Sequence, residues 1–326
     1  MFAALTPFLI QIINPFRVLI LTWYREDLKN VLDYLKNNFE TPTDSDEMKI
    51  NARANQISSI FTGMMWFCSI FTNAGYIIFP IILNIRRYFN NQDFAFILPF
   101  KAWFPFEYNY FPLYQIIYIL SMHSGNMTIS SICAGEGMII GCCFHLAAQF
   151  EIISVKLKKI IDEGKSSKFS QIENDQIYNK LIKVIEIHNE AILKCEILSK
   201  ILWKHVLIQY ISAAFVLCIS GLMLIQTDDA TIFIYVFFIS GFLVSTLNYS
   251  LSGNTLINAS TKIQETAYNF PWYKCNVKVR KALLMIIFRA QKKVNLKVPF
   301  FEVNMETFTM VIRVFWSFYT LAKSFV

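Results

Sequence analysis

One carboxylate embedded in a long apolar run raises the question of chemistry first. Glu136 opens the tract EGMIIGCCFHLAAQFEII, in which His145 and Gln149 follow. A carboxylate and an imidazole on one helix are the parts of an acid–base pair, but no nucleophile accompanies them, so no catalytic residue and no enzyme activity is expected. A carboxylate at the centre of a bilayer costs about 2.5–3.5 kcal/mol on insertion scales. Glu136 should therefore be paired, protonated or close to the inner boundary, and His145 and Gln149 are expected to join its polar cluster. The seven cysteines lie mostly inside apolar runs, and the adjacent Cys142 and Cys143 have no CxxC form. None has zinc-ligand spacing with matching histidines, so they read as packing thiols, with no metal and no cofactor implied.

The elements that must position these groups are membrane helices. Of the 326 residues, 55% are hydrophobic and 16% charged, against about 25% charged in an ordinary soluble domain. Nucleic acid is not the partner implied by the net charge of +7, because the lysines sit between apolar runs rather than on one polar face. A spanning helix needs about 20 apolar residues. Stretches 57–83, 111–150, 201–225, 231–251 and 300–325 meet that need, and residues 1–24 form a sixth, interrupted by Pro7, Pro15 and Arg17. Residues 1–24 lack a basic start and a cleavage site, so they are not a signal peptide.

Charge sets the orientation. Residues 25–53 carry five Lys or Arg, 156–204 ten and 262–297 nine, whereas 86–101 carry three and 226–230 none. Rich and poor loops alternate, which places the lysine-rich ones in the cytoplasm and the C-terminus outside. Apolar residues at helical spacing continue through 25–39 (Leu28, Val31, Leu32 and Leu35 on one face), 152–161 and 177–198. The expected fold is therefore all-α: a polytopic transmembrane bundle of inverted topology whose helices run on into a cytoplasmic anchor. Residues 162–175, with Gly, Ser and Lys, read as a loop. Trp272 and Tyr273, after Pro271, read as anchors at the membrane interface. The sequons at Asn126, Asn248 and Asn258 fall in or under the membrane and are not expected to carry sugar.

The second half carries a more specific signal. After Glu136, His145 and Gln149 come His188, Gln209 and Cys218 in IEIHNEAILKCEILSKILWKHVLIQYISAAFVLCI. Then SGNTLINASTKIQETAYNFPWY supplies Gly253, Asn254, Leu256, Ser260, Ala267, Tyr268 and Trp272, followed by VRKALLMIIFRAQKKVNL and METFTMVIRVFWSFYTLAKS. This order and spacing resemble the insect odorant receptor family of ligand-gated cation channels, most specifically over residues 253–291. LPFKAWFPFEYNYFPLY is similar to that family's second extracellular loop. Ser250, Thr255 and Lys293 depart from the family's usual cysteine, acid and proline. Residues 1–24 look like the remnant of the family's second span, with the first absent, so 1–326 is read as one N-terminally truncated receptor domain.

What the resemblance implies is an odorant-binding subunit of a non-selective cation channel, acting in olfactory neurons beside an obligate co-receptor in a heterotetramer. It would be a multi-pass protein of the plasma membrane of the sensory dendrite, in contact with lipid and a small volatile ligand. Residues 152–200 and 257–298 would form the cytoplasmic anchor, and 308–326 the pore helix, with Ser317, Leu321, Ser324 and Phe325 at the gate. The odorant pocket would be drawn from Phe71, Tyr76, Phe79, Tyr118, Met122, His123, Tyr235 and Phe238, with Trp103 as a lid. A gustatory-type channel is disfavoured because its last-helix pattern keeps only its final Phe here. A G-protein-coupled receptor is disfavoured by the loop charges and by the absence of its Asp-Arg-Tyr and Asn-Pro-x-x-Tyr signatures.

Overall fold

The computed structural model describes residues 2–42, 44–100, 102, 104–163, 170–226 and 232–324. Helix α1 covers Phe2–Trp23 and continues through Pro7 and Pro15. Prolines are tolerated inside apolar helices when neighbouring groups satisfy the freed backbone. Helix α2, Arg25–Glu40, turns Leu28, Val31, Tyr34 and Leu35 inward. Leu32, expected on that face, is instead exposed, and Tyr34 takes the buried place.

Four long helices form the body: α3 (Ser45–Phe89), α4 (Leu113–Glu163), α5 (Gln171–Gln226) and α6 (Ile232–Tyr268). Helix α3 has 45 residues, about 68 Å at 1.5 Å per residue, more than twice the roughly 30 Å hydrocarbon layer. Helices of this length run past any bilayer, as the continuing apolar periodicity implies. Among the described residues, α1 and α3 to α6 are long and apolar enough to cross a membrane. A short 3-10 turn (Trp272–Lys274) leads to α7 (Val277–Ala290), and Asn276 caps α7 by accepting from the Val279 amide at 3.0 Å.

Strands β1 (Lys297–Val298) and β2 (Phe301–Glu302) then pair antiparallel around Pro299 before α8 (Met305–Lys323) begins. The helix expected from residue 300 thus starts five residues later, where Asn304 caps it by accepting from the Thr307 amide at 3.0 Å. Helix α6 approaches this hairpin so closely that a Cβ on Gly253 would run into the Val303 carbonyl oxygen. Only glycine fits there.

The bundle has two unlike ends. At the lysine-rich end Lys156 meets Glu47 at 3.1 Å and Lys159 meets Asp44 and Asp46, which ties the start of α3 to the end of α4. Inside that end Phe150, Ile153, Leu157, Leu181, Leu198 and Leu202 are wholly buried in one core. At the other end the described residues between α3 and α4 form no helix or strand. Asn84 holds Ala95 through a pair of hydrogen bonds of 2.8 and 2.9 Å, and the Tyr114 hydroxyl donates to the Ile97 carbonyl at 2.7 Å.

Candidate functional site: a cavity above a buried ion pair

Five helices, α1 and α3 to α6, surround a cavity of about 130 Å³. Its walls are apolar, with Met65, Ile129, Phe100 and Phe238 among them, and its floor is charged. Arg17 on α1 donates through Nη1 to Glu136 Oε1 on α4 at 2.9 Å. Through Nη2 it donates to Gln209 Oε1 and, at 3.2 Å, to Ser212 Oγ, both on α5. Gln209 Nε2 donates to Ser245 Oγ on α6 at 2.7 Å, and Ser245 Oγ donates to Glu136 Oε2 at 2.6 Å. The circuit closes on itself and ties four helices at one level.

Arg17 and Glu136 are 6% and 2% exposed, so the pair is fully desolvated. The attraction of such a pair roughly offsets its desolvation, so its net contribution to stability is small. Removing one partner, by contrast, costs about 3–5 kcal/mol because the other is left charged and alone. The network is better understood as fixing the relative height of four otherwise featureless apolar helices.

Glu136 is thus paired, as its position demanded, but not with the expected neighbours. His145 lies nine residues and Gln149 thirteen residues further along α4, two and a half and about three and a half turns, so both point to the opposite side of the helix. His145 instead packs edge-on against Phe39, at 5.9 Å between ring centroids, and Gln149 is buried elsewhere. Arg17 had registered in the sequence only as an interruption of an apolar stretch. Helical periodicity gives the face a residue occupies but not its partner 119 positions away.

The aromatic residues expected around a ligand separate into groups. Tyr76 and Phe238 line the cavity. Tyr235 is buried and Phe79 half-buried, and neither lines it. Phe71 faces outward and packs on Phe67 and Phe237, at 4.4 and 5.2 Å between centroids. Tyr118 donates its hydroxyl to the Ile77 carbonyl and lines a separate outer cleft with Pro80 and Tyr114. Met122, which is half-buried, and His123, which is exposed, line neither. Trp103 and Phe325 lie outside the described residues. Sequence reasoning overlooked Asn73, which lines the cavity three residues before Tyr76 and so shares its face of α3.

On α8, Ser317, Leu321 and Ser324 fall within about 60° of one another around the helix axis. All three are exposed, Leu321 at 58%. The opposite face packs inward: the Phe315 and Tyr319 rings lie against Gly221 of α5, where a Cβ would meet them at 3.2 and 3.6 Å. Arg313, four residues before Ser317, shares the free face and is exposed.

No group of three or more His, Cys, Asp or Glu able to hold a metal occurs among the described residues, and the cysteines are unpaired. Beyond the spans, His188 packs edge-on to Phe150, 6.0 Å between centroids. Burial, with the Arg289 charge adding to it, lowers its imidazole to about 4, so it is neutral near pH 7. Burial also pushes the Cys275 thiol up, away from reactivity.

The family model described as 7tm Odorant receptor matches residues 1–315. Odorant receptor 24a of Drosophila melanogaster is 24% identical over 324 residues, a match covering 99% of this chain and 81% of the relative. Odorant receptor 22c of the same organism is 27% identical over 259 residues, covering 78% of this chain and 64% of its own length. The solved structure of the insect olfactory receptor OR5 from Machilis hrabei in complex with eugenol shares the fold. Its TM-score is 0.81 at 13% identity, covering all of this chain and 81% of that one.

Proposed function

This chain belongs to the 7tm odorant receptor family, whose members are ligand-gated cation channels, and on that premise we propose that it is the odorant-binding subunit of such a channel, assembled with a co-receptor subunit in the dendritic plasma membrane of an olfactory neuron. The family is one of receptors and not of enzymes. The cavity carries the proposal. It is apolar enough to take a volatile from lipid or air, since burial of apolar surface supplies roughly 25 cal/mol per Å². Its volume, about 130 Å³, lies near the roughly 150 Å³ of an apolar void that binds benzene.

The lysine-rich end faces the cytoplasm in this proposal, with the C-terminus and the 91–112 cover outside. Residues 152–200 and 257–298 then serve as the anchor. Helix α8 lines the ion path with the face that carries Ser317, Leu321 and Ser324. Its mixed polarity suits a helix that meets water on one side, and its exposed face is unclaimed by this chain's own core.

The test is whole-cell current in cells expressing this chain with the co-receptor, against a panel of small volatiles, with Leu321→Ala in parallel. Evoked cation current that persists under G-protein block and changes its permeation in Leu321→Ala is the expected result. Current that disappears under G-protein block would overturn the channel assignment, and unaltered permeation in Leu321→Ala would overturn the pore assignment.

A further inference from the structure

Two buried polar atoms at the cavity wall have no partner. Asn73 is 6% exposed, and its Nδ2 donates to Asn126 Oδ1 at 2.6 Å, but its own Oδ1 accepts nothing. The Tyr76 hydroxyl, three residues along the same face of α3, is buried and equally unpaired. Both line the cavity. A buried polar group without a hydrogen bond is costly to keep, and native interiors hold few of them. Two within one turn, facing one void, mark a place that an incoming molecule completes.

The surroundings are shaped around these atoms. Gly125 of α4 faces them: a Cβ there would meet Asn73 Oδ1 and the Phe100 ring at 2.8 Å each. The charged floor is a separate place. Gly125 and Glu136 are eleven residues apart on α4, about 16 Å along the axis, so a ligand of the cavity's size reaches one level and not both. At the floor Arg17, Gln209, Ser245 and Glu136 largely satisfy one another, and Arg17 Nε alone is left over. The unmet demand concentrates at Asn73 and Tyr76.

We propose that this cavity selects small volatiles that carry a hydroxyl group, which donates its hydrogen to Asn73 Oδ1 and accepts one from the Tyr76 hydroxyl. The inference rests on the odorant-receptor reading and names the ligand class. A hydroxyl meets both demands, a ketone only that of Tyr76, and a hydrocarbon neither. A site that buries groups meant for a ligand's hydroxyl rejects the analogue lacking it, because those groups are then left unpaired. The rest of the ligand, a single ring or its equivalent, lies against Phe100, Phe238 and Ile129.

The test is direct binding to the purified full chain in lipid nanodiscs, titrated with cyclohexanol, cyclohexanone and methylcyclohexane, with empty nanodiscs as the blank. Cyclohexanol is expected to bind at least about tenfold more tightly than methylcyclohexane, with cyclohexanone between them. Tyr76→Phe, which removes one oxygen and leaves the ring, should abolish most of that preference, weakening cyclohexanol and relieving the penalty on methylcyclohexane. Asn73→Leu should do the same, and Gly125→Ala should weaken cyclohexanol by occluding the amide oxygen. Equal affinity for all three in the unaltered chain would overturn hydroxyl selection and leave the receptor reading intact. Failure of the folded chain to bind any of them would overturn this cavity as a site for small ring volatiles.

Discussion

The two ends of the bundle use the same apolar vocabulary for opposite purposes. At the lysine-rich end, α2, α4, α5, α6 and α7 meet around side chains such as Phe150, Leu157, Leu181 and Leu202, all without solvent contact, and charged residues ring the outside. Towards the other end, the large apolar residues of α3, among them Ile78, Ile81, Ile82 and Ile85, point outward, and the interior holds a cavity and unpaired polar atoms. In water, apolar groups go inside; in lipid they need not, which frees the interior for recognition. One end holds the helices together, and the other encloses a cavity.

The sharpest way to break this comparison is to cut the same residue type at each end. Phe150→Ala should destabilise the chain by about 3–5 kcal/mol, the range for a large ring lost from a packed core. Phe238→Ala, beside an existing void, should cost roughly half that and weaken ligand binding instead. Thermal unfolding of both purified variants checks the contrast, and equal losses would mean that the two ends are packed alike.

The ion pair at the boundary should behave as neither end does. Arg17→Leu alone is expected to cost about 3–5 kcal/mol by stranding Glu136, and the added Glu136→Leu change should recover most of it. Surface expression and melting temperature report both steps. If the double variant is no better than the single, the network contributes net stability and not only registration of the helices.

Gly253→Ala should cost about 1–3 kcal/mol by forcing α6 away from the Val303 carbonyl, a loss of packing where α8 departs from the bundle. Hydrogen exchange should rise along residues 297–307 first; protection unchanged there would mean that the backbone yields without cost.

A pH dependence belongs to the packed end. His188 holds its imidazole at about 4, below the ordinary 6.5, through burial and then the Arg289 charge. Between those values the unfolded chain binds the proton and the folded one does not. The contribution is therefore intact above about pH 6.5 and is lost as pH falls towards 4, by up to a few kcal/mol at about 1.4 per unit. His188→Gln should flatten the pH profile of unfolding in that window. A profile unchanged by the substitution would assign the acid sensitivity to other groups.

Much of the architecture was legible because it follows from local pattern. Apolar length located the helices, and helical spacing in 152–161 and 177–198 foretold that α4 and α5 continue unbroken through those residues. What pattern could not supply was pairing across distance. Glu136 announced that it needed a partner, yet Arg17 was legible only as a flaw in residues 1–24. The His145 and Gln149 alternative failed on the number of turns that separate them from Glu136. The hairpin before α8 was hidden by strands of two residues, too short for any periodicity, though Pro299 and the Asn304 cap were visible signals. At the cavity, ring content pointed to Tyr76 and Phe238 but could not tell them from Phe71, which packs outward, because residues facing lipid and residues facing a ligand are equally apolar. Asn73, a polar residue in the same apolar run, was the more informative choice and was passed over.

The central claim is tested most directly by a cryo-electron microscopy map of the chain, assembled with its co-receptor and saturated with an activating volatile. Ligand density between Tyr76, Phe238 and Gly125, above the Arg17–Glu136 pair, is the predicted result. Density in the outer cleft beside Pro80 and Tyr118, with the central cavity empty, would contradict the account.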